Sequence, residues 1–239
     1  MMSLLHSSLL LAASKQRSEN LSIFDPASPS AASIRFLFVL VLAITGAIFL
    51  LVEIVLLYSL WRFRQRSPDT SEPPQVYGSM PIEIAWTAAP ALIVFLLALI
   101  TARTEFDVRV NPDKPPAGSQ PLYVTVIGHQ WWWEYVYLQD REGKQTQFIT
   151  ANELHVPASE ENIARPVYLT LKSADVCHSF WVPRLAGKTE LIPGRTNQMW
   201  FQTTEPGLYL GHCAEYCGSQ HAHMVLRVIV EARATAVSR

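Results

Sequence analysis

Two stretches of this chain are too long and too apolar for the surface of a soluble domain: residues 36–61 and 84–102. Each approaches the roughly 20 residues that carry a helix across a bilayer. In hydrocarbon every backbone N–H and C=O must be satisfied within the segment, so both are expected to be helices. The first reads FLFVLVLAITGAIFLLVEIVLLYSLW, holds one carboxylate, Glu53, and is followed by Arg62, Arg64 and Arg66. The second contains Pro90, which neighbouring groups can accommodate in a membrane helix. Only Arg103 follows the second span closely, so the arginine-rich connection is expected on the cytoplasmic side. Both termini, and everything after residue 103, then lie outside. Glu53 is costly in a membrane and is expected to face protein or another polar group. No role is assigned to it.

The domain plan follows. Residues 1–24 are read as a signal or an N-terminal extension, 25–103 as a two-helix hairpin, and 104–239 as one extracytoplasmic domain. Residues 3–13 are apolar enough for a signal core, but no basic segment precedes them. A cleaved signal and a misassigned start both stay open. No cysteine lies there, which argues against a lipid-anchored N-terminus. A formal net charge of −1 excludes the basic excess of a nucleic-acid binder.

After Arg103 the pattern changes. Asn111–Gly118 is rich in turn formers and reads as a linker. Short β-branched and aromatic runs then alternate with turn signals, the signature of an all-β sandwich or barrel. Strands are expected near 121–128, 132–138, 146–150, 166–172, 195–203 and 224–231, with a shorter extended run at 207–212.

The chemistry is concentrated in Cys213-Ala214-Glu215-Tyr216-Cys217-Gly218-Ser219-Gln220-His221-Ala222-His223-Met224. Two thiols four apart precede an imidazole and a thioether, and His178 lies upstream. These are soft or borderline ligands suited to copper. A trigonal blue-copper site needs two His, one Cys and a weak axial Met, so five side chains exceed the needs of one copper. Two thiolates bridging two copper ions would use them all. Sharing one electron over such a pair suits electron transfer better than substrate activation. Three cysteines cannot pair completely. A Cys213–Cys217 disulfide in an exported domain is the competing reading.

This segment resembles the dinuclear copper A site of the cytochrome c oxidase subunit 2 family, and the likeness runs from about residue 24 through both spans. The resemblance implies a cupredoxin-like domain behind a transmembrane hairpin. It implies copper ligation by His178, Cys213, Cys217, His221 and Met224 and by the backbone carbonyl of Glu215. The Glu215 side chain would reach a magnesium ion shared with the catalytic subunit. Gly128-His129-Gln130-Trp131-Trp132-Trp133-Glu134-Tyr135 resembles the family's aromatic segment, which makes Trp131 the point where an electron arrives from cytochrome c. Without that likeness, these aromatics would be read simply as strand residues. Lys188–Gln198 resembles a segment that usually has aspartate at Glu190. Val136 stands where a glutamate is common, and the remaining acids nearby are Glu134, Asp140 and Glu142. Glu83-Ile84-Ala85-Trp86-Thr87-Ala88-Ala89-Pro90 resembles the family's second span, whose glutamate lies at the entrance of a proton path. A helix-end charge is the bland alternative for Glu83.

The implied function is acceptance of electrons from cytochrome c and their delivery to haem in a partner, which reduces oxygen to water. The implied partners are catalytic subunit 1, subunit 3, cytochrome c and the membrane, with no nucleic acid. The implied location is a bacterial inner membrane, with the copper domain on the periplasmic side. Two alternatives remain: the copper A subunit of a nitric oxide reductase, and a membrane-anchored copper-delivery protein of thioredoxin-like fold. Cys177, His212 and His223 adjoin ligands but match no ligand position.

Overall fold

The computed structural model describes residues 21–64, 75, 77–109, 114–141 and 144–232. The expectations for residues 1–20, Arg66, Glu142 and the start of the linker lie outside those residues. Two helices come first, α1 (Pro29–Arg62) and α2 (Met80–Val108), and each contains one expected span. Ser28 caps α1: its hydroxyl accepts from the Ala31 N–H at 3.1 Å, and Pro29 takes the first helical position, where an N–H would be unpaired anyway. At the start of α2 the Glu83 carboxylate accepts the Ser79 N–H at 3.3 Å. Within the spans, Thr45, Ser59 and Thr87 turn their hydroxyls back onto carbonyls four residues earlier. In lipid that satisfies a donor that water would otherwise take.

The chain forms two compact units. Phe36–Phe106 is one; the described residues up to Arg35 join the described residues from Asp107 onward in the other. Within residues 25–35, which the sequence assigned to the hairpin, Asp25, Ala27 and Ser28 bond to the β-domain. Ala27 donates to the Arg184 carbonyl at 2.8 Å, and the Ser28 hydroxyl donates to the Leu185 carbonyl. The buried Arg184 guanidinium holds the Asp25 carbonyl at 2.8 Å and its carboxylate at 3.0 Å. At the other end, the Trp200 indole donates to the Val108 carbonyl at 3.1 Å.

The expected cupredoxin-like sandwich is observed. Its strands are β1 (Leu122–His129), β2 (Trp132–Arg141), β3 (Lys144–Ala151), β4 (Glu153–Pro157), β5 (Val167–Ser173), β6 (His178–Trp181), β7 (Thr189–Leu191), β8 (Asn197–Phe201), β9 (Gly207–Cys213) and β10 (Val225–Glu231). They form two five-stranded sheets, ordered β3-β2-β1-β5-β8 and β4-β10-β9-β6-β7. Alternate residues point inward, as strand geometry requires. Val124, Val126, Trp133, Tyr135, Leu169 and Leu171 of the first sheet thus share a buried core with Leu154, Phe180, Tyr209, Leu226 and Val228 of the second.

Three strands had not been expected. β4, β6 and β7 are short: β4 and β6 each lie beside a longer strand distant in sequence, β10 and β9, and β7 adds to the edge of β6. In particular β6 lies antiparallel to β9, with Phe180 opposite Cys213 and Trp181 opposite His212. Gly211 makes this approach possible, since a Cβ there would stand 2.4 Å from the Trp181 carbonyl oxygen. Gly211→Ala should therefore push β6 off β9 and lower stability by about 1–3 kcal/mol. Thermal unfolding of the full-length protein checks this, and an unchanged melting temperature would show that the strands can yield.

Candidate metal centre

Pairing of β6 with β9 puts His178 beside Cys213, 35 residues later in the chain. His178 opens β6 and is fully buried; Cys213 ends β9. The His178 Nδ1 lies 3.9 Å from the Cys213 sulfur. Beyond β9 the chain turns back over the strand end: Ala214 N–H donates to the Ser179 carbonyl at 2.9 Å, and Cys213 N–H to the Met224 carbonyl at 2.9 Å. That return brings Cys217 in, its sulfur 3.8 Å from that of Cys213. A short helical turn, His221–His223, follows. From it His221 Nδ1 comes within 3.6 Å of the Cys217 sulfur, and the buried Met224 sulfur within 3.7 Å. The Glu215 carbonyl oxygen lies 3.2 Å from the Cys213 sulfur.

The ligand atoms of His178, Cys213 and Cys217 lie within 4.8 Å of one another, and all three residues are buried. A disulfide needs sulfurs about 2.05 Å apart; both cysteines are free. Metal–thiolate bonds run near 2.3 Å for zinc, so sulfurs 3.8 Å apart can share a metal. The donor set fits copper: two thiolates, an imidazole on each flank, a thioether and a carbonyl. His178 and Glu215 O approach Cys213, whereas His221 and Met224 approach Cys217. That division supplies donors on two sides of the thiol pair.

The two thiols are electrostatically unlike. Burial opposes ionisation of Cys213, but hydrogen bonds from His178, from backbone at Glu215 and Ser179, and from His221 outweigh it and bring its pKa to about 6. Cys217 is pushed up to about 12, by burial first and then by the negative charge of Cys213. Burial disfavours the His178 imidazolium, yet Cys213 and Asp175 together raise its pKa. Asp175 is held below the usual carboxylate range despite its partial burial, by His178 and by the N–H groups of Val176 and Gln130.

Asp175 was not foreseen. Its Oδ1 lies 2.8 Å from His178 Nε2, which leaves Nδ1 to face the sulfurs. A carboxylate on the far nitrogen of a ligating histidine fixes its orientation and raises its basicity. The only hint in the sequence was an acid three residues before the histidine. The Asp175 Oδ2 in turn accepts the Gln130 N–H at 2.7 Å.

The aromatic segment divides by position. Trp133 is fully buried and meets the His178 ring edge-on, with centroids 6.1 Å apart. Trp132 faces outward and stacks on His129, which is bound to Glu134 at 2.9 Å. Trp131 precedes β2 and is half-buried, its indole N–H donating to the Cys217 carbonyl at 3.2 Å. Glu215 turns its side chain outward, and Glu190 is exposed on β7. Of the residues set aside earlier, His212 packs edge-on against Trp181, while His223 and Cys177 are exposed. Glu83 sits at the α2 terminus, in the other unit.

The chain matches the cytochrome c oxidase subunit II periplasmic domain over residues 122–232 and the transmembrane domain of the same subunit over residues 16–103. The chain belongs to the cytochrome c oxidase subunit 2 family. It is 35% identical over 211 residues to cytochrome c oxidase subunit 2 of Alkalihalophilus pseudofirmus, a match spanning 88% of this chain and 58% of that relative. Against the Synechocystis cytochrome c oxidase subunit 2 it is 33% identical over 239 residues, spanning 83% of this chain and 68% of the relative. Among solved structures, the periplasmic domain of subunit II of cytochrome oxidase of Bradyrhizobium japonicum is 28% identical, with a TM-score of 0.40, covering 47% of this chain and 86% of that one. As a family member, the chain is a membrane-anchored subunit whose His178, Cys213 and Cys217 cluster is consistent with a copper centre. A strand, β10, follows the thiol loop, and the domain is all-β, unlike the thioredoxin-like fold that the copper-delivery reading required.

Left without metal, the thiols should be prone to oxidation. A Cys213 thiolate 3.8 Å from Cys217 is placed for attack once Cys217 is activated by an oxidant. Thiol titration of the metal-free protein after mild oxidation should fall from three free thiols to one, Cys177. The rate should rise with pH through about 6, where Cys213 ionises. Persistence of all three thiols would mean that the loop holds the sulfurs apart.

Proposed function

We propose that this protein is the electron-accepting subunit of a haem-copper cytochrome c oxidase, holding a dinuclear copper A centre. One observation carries the reading: four donor atoms, from His178, Glu215, His221 and Met224, gather around the two free sulfurs of Cys213 and Cys217, 3.8 Å apart. Bound there, a copper pair supplies a one-electron carrier. The protein groups do the rest. Asp175 holds His178 with Nδ1 toward the thiols. The buried walls around Cys213, Cys217 and Met224 exclude water, which limits reorganisation around a changing charge.

Cytochrome c is the proposed donor and Trp131 the residue that receives its electron. In support, the half-buried indole is one hydrogen bond from the backbone of a thiol ligand. The electron is destined for haem in catalytic subunit 1, where oxygen is reduced to water, and subunit 3 completes the proposed assembly. The outward Glu215 side chain is the proposed magnesium ligand on the face toward that partner. Glu83 is proposed to stand at a proton-path entrance as well as capping α2. The proposed location of the sandwich is the periplasmic side of a bacterial inner membrane. The arginine-rich link between the spans supports this, as does the fact that α1 begins and α2 ends in one compact unit.

Reconstitution of the full-length protein with copper tests the centre. The expected result is two coppers per chain and a spin-resonance hyperfine pattern from one electron shared by both nuclei. One copper with a mononuclear pattern would end the dinuclear reading. Cys217→Ser should abolish the shared pattern, whereas Met224→Leu should keep both coppers and shift the potential.

Trp131→Phe keeps an aromatic ring but loses the N–H bonded to Cys217 O. Electron uptake from reduced cytochrome c should slow by roughly tenfold, equivalent to about 1.4 kcal/mol in the barrier. The copper spectrum should keep its shared-electron form. Unchanged stopped-flow kinetics would remove Trp131 from the route.

A further inference from the structure

Gln130 was not singled out by the sequence, yet it touches both loops that carry the metal ligands. Its side-chain amide donates to the Cys217 carbonyl at 2.7 Å. Its main-chain N–H donates to the Asp175 carboxylate at 2.7 Å, and that carboxylate holds His178 Nε2 at 2.8 Å. One exposed residue therefore fastens the thiol loop with its side chain and the histidine loop with its backbone.

We infer that Gln130 is a positioning residue that sets the potential of the metal centre by holding the Cys217 carbonyl and bracing the two ligand loops against each other. This rests on the copper reading above. Three observations carry it. First, the Cys217 carbonyl takes two donors, Gln130 Nε2 and Trp131 Nε1, both aimed at the peptide next to a ligating sulfur. Such dipoles stabilise negative charge nearby, so they favour the reduced centre. Second, the contact is tight: at Gly218 a Cβ would lie 3.0 Å from Gln130 Nε2 and 3.1 Å from the Trp131 ring. Gly218 also has φ +122°, a conformation that favours glycine. The loop is thus shaped to meet this pair. Third, the bond is long-range, spanning 87 residues between the β1–β2 turn and the thiol loop. Gln130 and Trp131 occupy the same turn, so a donor that docks on Trp131 also meets the residue that tunes the centre.

Gln130→Met keeps the length and apolar stem and removes only the side-chain donor; the backbone bond to Asp175 survives. Gln130→Glu keeps the shape but offers an acceptor where a donor is needed. With copper loaded into the full-length protein, both variants should show a lower reduction potential than wild type, Glu the lower of the two. The shared-electron hyperfine pattern should persist with altered splitting. In the metal-free protein, alkylation of Cys217 by iodoacetamide should become severalfold faster in both, because its loop has lost an anchor. Gln130→Lys restores an N–H donor at the carbonyl and should return the potential to at least the wild-type value. An unchanged potential together with unchanged Cys217 reactivity in the Met variant would overturn the inference. So would a potential that falls equally in the Lys variant, which would point to general damage at the turn. Failure of wild type to take up two coppers would refute the copper reading instead; the alkylation comparison still decides whether Gln130 holds the loop.

Discussion

The antiparallel contact between β6 and β9 is the constraint on which the metal centre depends. It is short, since β6 has only four residues. Even so, it sets Phe180 opposite Cys213, and by strand alternation this brings His178 to the sulfur from a segment 35 residues away. The bond from Ala214 N–H to the Ser179 carbonyl extends the same pairing into the loop. Without it, the thiols and histidine would be three soft ligands in one sequence but not in one place. The rest of the sandwich keeps those two strands in register.

Around that contact, charge is managed locally. Two buried thiols beside each other cannot both ionise easily, and the site resolves this by making them unequal. Cys213 lies with His178 and several donors; Cys217 bears the cost of its neighbour's charge. Such an arrangement lacks positive charge between the sulfurs, which is what a cation would supply. The Asp175–His178 pair, the Gln130 and Trp131 donors and the Gly218 turn prepare the walls for it. The same geometry would favour a loop that holds a cation.

Much of this was legible in the sequence, for reasons that differ by residue. The two spans were visible because lipid imposes length and apolarity on contiguous residues. The long strands were visible through alternation, as in β1 and β10. The donor residues of the thiol loop stood out because they lie within twelve residues and belong to one chemical class. What escaped was non-local. β4 and β6 owe their existence to partners far along the chain, β7 depends on β6 in turn, and nothing in Thr189-Glu190-Leu191 alone specifies a strand. Asp175 and Gln130 have ordinary side chains whose importance comes only from what the fold places against them. The association of residues 21–35 with the sandwich could not be seen either, since it links segments on either side of two membrane spans.

That last association constrains the order of assembly. The Asp25–Arg184 contact joins residues 159 apart. Asp25 is synthesised early, whereas Arg184 appears only after both helices and most of the β-domain. Until then the backbone around Ala27 lacks the carbonyl that Arg184 provides. The N-terminal segment must therefore wait for a partner made only after both helices and the first six strands. A nascent chain halted before Arg184 therefore lacks the side chain and carbonyl that hold Asp25 and Ala27.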